Sequence, residues 1–129
     1  MALSTQEENI INLSSMFNNY HPRLNFTMER SGNCLNFLDS NLHKKGRYFL
    51  YNWYHKPSFL AQYLNYFSCH PRCHKIGTIM GLIDRILLLS FPTFHEKNFS
   101  FIINILLTNG YPKIFALASI RKRLHTKFE

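Results

Sequence analysis

The chain has 129 residues and a formal net charge of +8, from 15 Lys and Arg against 7 Asp and Glu, which suits one domain with a single modest core. That surplus of cations points to an anionic partner, the alternative being a basic surface with no partner. The 3 cysteines are an odd number, so no disulfide framework is implied. The N-terminus MALSTQEENIINL carries acids where a secretory signal would carry cations, and an intracellular location, nuclear or cytoplasmic, is expected.

In chain order, Ser4 or Thr5 with Glu7 or Glu8 forms a capping-box pattern. Ile10, Ile11, Leu13, Met16 and Phe17 follow at helical spacing, predicting a helix over about Thr5 to Phe17. Asn18 to Pro22 reads as a turn. Leu24, Phe26 and Met28 then alternate with Arg23, Asn25, Thr27 and Glu29 as in a half-buried strand, closed by the turn signal Ser31-Gly32-Asn33. Cys34 to Ser40 and Arg47 to His55 read as two further strands joined by the polar loop Asn41 to Gly46. The result is a three-stranded antiparallel meander. Alternation in its last strand makes both faces aromatic, so the strand is either buried on both sides or offers one face to a partner.

From Pro57 the signals turn helical. Phe59 to Phe67 predicts a short helix, and Ile76, Ile79, Met80, Ile83 and Leu87 mark one face of a longer one that Phe91-Pro92 stops. That apolar run is broken by Asp84-Arg85 and is shorter than the roughly 20 residues needed to span a bilayer, so no membrane segment is expected. Thr93 with Glu96 forms a second capping box before the stripe Phe99, Ile102, Ile103, Leu106 and Leu107. Asn109-Gly110 ends that helix, and Pro112 sits in the first turn of a last one reaching about His125. The expected class is α+β: an N-terminal helix, a small three-stranded antiparallel sheet, then a cluster of three to four helices. The expected units are residues 1–56, helix and meander, and 57–129, a helix-turn-helix-like region.

Between Asp39 and Asp84 there is no carboxylate side chain, whereas Lys44, Lys45, Arg47, Lys56, Arg72 and Lys75 all fall there. Its richest part is YHKPSFLAQYLNYFSCHPRCHK, Tyr54 to Lys75. Cations of one sign interleaved with rings suit a nucleic-acid backbone without requiring that its sequence be read. Lys56, Arg72 and Lys75 are the candidate phosphate contacts, with Tyr54, Tyr63 and Tyr66 as sugar or base platforms. Arg121, Lys122 and Arg123 form a second basic strip, whose other reading is stabilisation of their own helix C-terminus.

No two acids form a paired-carboxylate site, and no P-loop, GxSxG or GxGxxG is present. No catalytic residue is therefore assigned. Cys69, His70, Cys73 and His74 are the one His and Cys cluster, but a structural zinc site needs a second matched pair, and Cys34 stands alone. No metal or other cofactor is expected, and His70 and His74 are read as hydrogen-bonding and capping groups at a helix start.

Ordered blocks along the chain resemble the C-terminal part of reverse transcriptases of Penelope-like retroelements. They are Phe37-Leu38-Asp39, Tyr54-x-Lys56-Pro57, Tyr63-Leu64, Ser68-x-His70-Pro71-x-x-His74-Lys75, Asp84-Arg85 and Asn109-Gly110-Tyr111-Pro112. The resemblance runs from about Glu7 to Arg123. It implies the last helix of a polymerase palm, the small sheet after it and the thumb, which grip the duplex of primer and template. The catalytic aspartates of that family lie on a strand this chain does not contain. Ser40, Cys69, Arg72 and Cys73 depart from the residue types usual there. The expected function is non-catalytic binding of an RNA–DNA or DNA duplex; the alternative is an interaction module that docks on a protein carrying the rest of a polymerase, or on itself.

Overall fold

The computed structural model describes residues 6–129. It contains helix α1 (Glu7–Asn19), strands β1 (Cys34–Phe37), β2 (Ser40–Lys45) and β3 (Tyr48–Trp53), and helices α2 (Arg72–Leu89), α3 (His95–Thr108) and α4 (Lys113–Phe128). A single 3₁₀ turn, Pro92–Phe94, leads into α3. The fold is α+β in the order expected.

The sheet is antiparallel in the order β1-β2-β3, but its strands are not all the expected ones. Residues 23–29 form no strand and are exposed throughout. Asn18 takes the backbone of Phe26: its side chain accepts from the Phe26 amide at 2.6 Å and donates to the Phe26 carbonyl at 3.2 Å, while the Phe17 and Phe26 rings lie 5.5 Å apart. The segment is thus tied to α1. The expected loop 41–46 is mostly β2, whose polar residues pair on both sides, with Leu42 opposite Leu35 and Tyr51. Two-residue turns make this possible. Gly46 adopts φ +62° in one and Leu38 φ +53° in the other.

The first cap falls partly outside view, since Ser4 and Thr5 lie outside the described residues. Gln6 precedes α1 without a side-chain cap. None of the residues of α1 is buried.

The core belongs to the C-terminal helices. Ile79, Ile83 and Ile86 of α2 pack with Ile102 and Leu106 of α3, Tyr111, and Ala116 and Ile120 of α4. Trp53 at the end of β3 enters the same core at 6% exposure. Ser90, just past α2, seals the joint: its hydroxyl accepts from the Trp53 amide at 3.2 Å and from the Asn98 amide group at 2.6 Å. Asn98 also donates to Asn52 at 2.8 Å.

The expected helix over Phe59 to Phe67 does not form. This stretch is an irregular strap laid over the end of α3, and Asn109 supplies the bonds that a helix would have made internally. Its Oδ1 accepts from the Tyr63 amide at 3.1 Å, its Nδ2 donates to the Ala61 carbonyl at 2.9 Å, and its own carbonyl accepts from the Tyr66 amide at 3.0 Å. Buried tertiary bonds override a weak local preference, since helix propensity is worth only tenths of a kcal/mol per residue. The expected Thr93–Glu96 box is also absent. Phe94, without a side-chain cap, is the residue before α3.

Candidate nucleic-acid interface

α2 begins one turn earlier than its apolar stripe suggests, because Pro71 at φ −54° presets the start and Arg72 is the first helical residue. His70 and His74 do not cap it: Pro71 occupies that position with no side-chain bond, and His70 Nδ1 lies 3.1 Å from the Ser68 hydroxyl. Among the described residues no three of His, Cys, Asp or Glu converge closely enough to hold a metal ion.

The strap brings the candidate cations and rings together at the start of α2. Lys75 Nζ donates to the Ser68 carbonyl at 2.9 Å and lies 5.2 Å from the centre of the Tyr66 ring. The Arg72 guanidinium lies 5.3 Å from the centre of the Phe115 ring. Tyr66, Tyr111 and Phe115 form one aromatic cluster, with Tyr66 5.4 Å from each of the other two. Tyr66 is thereby a half-buried support for Lys75 more than a free platform. Tyr63 is also half-buried; burial pushes its phenol pKa up and the Arg85 charge pulls it down. Tyr54 donates its backbone N–H to the Asp39 carbonyl at 2.8 Å, which explains why the Phe37-Leu38-Asp39 turn and the Tyr54-x-Lys56-Pro57 block belong together. Lys56 is exposed beyond them.

His55 sits among rings, 4.1 Å from Trp53, 4.5 Å from Phe59 and 4.8 Å from Phe101. Burial holds its pKa below the usual imidazole value; Arg85 adds to this and Asp39 opposes it. Its surroundings thereby favour the neutral imidazole.

The second strip divides. Arg121 and Lys122 are exposed on α4, whereas Arg123 is committed to Asp84 of α2, with Nε at 3.0 Å and Nη2 at 2.6 Å from its two oxygens. Lys127 lies 3.8 Å from the same carboxylate. The Arg123 hydrogen bond holds the Asp84 carboxyl below the usual range, against some desolvation, with help from the Arg123 and Lys127 charges. This ion pair joins α2 to α4. It leaves Arg121 and Lys122 as the strip's unengaged cations.

Sequence reading separated Arg72 from Lys122 by fifty positions. The structure places them on one groove of about 200 Å³, floored by Ile76, Met80, Phe115 and Ala118 and free of carboxylates. The signal was present as helical spacing, 72-76-80 on one helix and 115-118-122 on the other, but only packing of α2 on α4 turns two stripes into two walls.

α3 and α4 are joined by Asn109-Gly110-Tyr111-Pro112, in which Gly110 takes φ +83° and the Tyr111 amide returns to the Leu106 carbonyl at 2.9 Å. A short glycine-containing turn of this kind is one component of a helix-turn-helix unit. Neither the curated proteins nor the solved structures compared with the chain contain a match. Residues 62–121, from the strap to the middle of α4, match the family model of the animal helix-turn-helix domain, so the chain carries a helix-turn-helix region.

Proposed function

We propose that the chain is a non-catalytic nucleic-acid-binding module, holding duplex through its backbone with Lys56, Arg72, Lys75, Arg121 and Lys122. The observation that carries this is that Arg72, within the helix-turn-helix region, and Lys122, one residue beyond it, line one groove without carboxylates. On this reading residues 57–129 are the binding unit, and 1–56 form a unit that joins it through Trp53. The ordered sequence blocks support a finer assignment, the palm end and thumb of a Penelope-like reverse transcriptase gripping primer and template. A nuclear or cytoplasmic location fits this role. No helix among the described residues is long and apolar enough to cross a membrane.

Titration of a labelled duplex at rising salt tests the reading. About five phosphate contacts predict a log–log slope near −4 to −5, since each contributes about −0.9. Replacing Arg121 and Lys122 by Gln should flatten the slope by about 2. Absence of binding at low salt would overturn the proposal.

A second reading has its own observation. Phe49 and Tyr51, on one face of β3, are 53% and 40% exposed, an apolar surface of the kind that drives association. Light scattering separates the two: assembly that grows with concentration and ignores salt favours protein docking.

A further inference from the structure

The groove between α2 and α4 is concave, with Arg72 and Lys122 among its lining residues. Its volume of about 200 Å³ is below the roughly 300 Å³ at which pockets begin to hold drug-sized ligands, so it suits one flat ring rather than a whole cofactor. Its floor is apolar, from Ile76, Met80 and Ala118. One wall ends in Arg72, whose guanidinium is already positioned 5.3 Å from the centre of the Phe115 ring and is exposed. The opposite wall ends in Lys122, also exposed. Guanidinium planes and aromatic rings are the surfaces on which unpaired bases stack, and a cation beside such a surface takes the phosphate next to the base.

From this geometry we infer that the groove takes one unpaired nucleotide, at a single-stranded end or bulge, with its base against Arg72 and Met80 and its phosphate on Lys122. The chain thus prefers a junction of duplex and single strand to blunt duplex. This rests on the nucleic-acid reading above, and adds a preference that the basic surface alone would not produce. The carboxylate nearest in the helical pair, Asp84, does not oppose it, being neutralised by Arg123 and Lys127.

The test compares a blunt duplex with the same duplex bearing a short single-stranded overhang that contains 2-aminopurine, using the full chain. The overhang should bind roughly ten-fold tighter, the worth of one stacked base, and the 2-aminopurine fluorescence should change on binding. Ala118 is exposed and lines the groove, so Ala118→Leu fills it without altering charge. That variant should bring the ratio of the two affinities to about one and lose the fluorescence change. Equal affinity for the two duplexes, or an unaltered preference in A118L, overturns the inference and leaves the broader reading standing. Binding to neither duplex overturns the broader reading. Trp53 fluorescence on unfolding, measured for A118L, ensures that a lost preference is not lost folding.

Discussion

Asn109 holds the strap, and removing its side chain should unfasten it. The residue is 9% exposed, and its amide makes three bonds: it accepts from the Tyr63 amide at 3.1 Å and donates to the Ala61 and Ile105 carbonyls at 2.9 and 2.8 Å. Two of these cross from α3 to the strap. At about 1 kcal/mol net for each neutral bond, with some added cost for a backbone N–H left buried without a partner, Asn109→Ala should cost about 3 kcal/mol. That is a large part of the 5–15 kcal/mol typical of a domain. Urea unfolding followed by Trp53 measures it, because the chain has one tryptophan and that ring is in the core. With a slope of about 1–3 kcal/mol per molar, the midpoint should fall by roughly 1–3 M. Hydrogen exchange should show the Tyr63 amide losing protection while α2 amides keep an order set by global unfolding. A loss below about 0.5 kcal/mol, no larger than for an exposed asparagine such as Asn104, would refute the idea that these bonds displaced the strap from a helix.

Acidification should destabilise the fold through His55. Its folded pKa lies below the ordinary value, so the unfolded chain binds more protons between the two, and stability rises with pH across that window. Stability should therefore begin to fall as pH drops through about 6.5 and continue falling until the folded value is passed; His55→Phe should flatten that slope, and an unchanged slope in the variant would assign the effect elsewhere. Asp84 acts at lower pH. Its depressed pKa means that its contribution is present above the unfolded carboxylate value and lost as pH falls through the folded one. Asp84→Asn should lower stability yet release Arg123 and Lys127, giving tighter duplex binding with a salt slope steeper by about 1 to 2; weaker binding by a folded D84N protein would contradict the assignment of Asp84 as a neutralising partner.

Much of the architecture could be read from contiguous patterns. The stripes of α2 and α3, the Asn109-Gly110 stop and Pro112 before α4 all lie within windows of a few turns. The misreadings share a cause. β2 is polar, and its residues Asn41, Lys44 and Lys45 are poor strand formers that hold extended only because β1 and β3 flank them. Residues 23–29 alternate well, yet Asn18 of α1 takes both backbone groups of Phe26 and no strand pairs with the segment.

The net charge, the acid-free basic zone, the α+β order and the helices whose apolar faces build the core all follow from residue order alone. Tertiary structure decided which of the cations are unengaged. Lys75 is drawn to Ser68 and Tyr66, Arg123 to Asp84, while Arg72 and Lys122 line one groove. The division follows from range: periodicity acts between neighbours in sequence, whereas a charge acquires its partner through space, and that partner is known only once α2 has packed on α4.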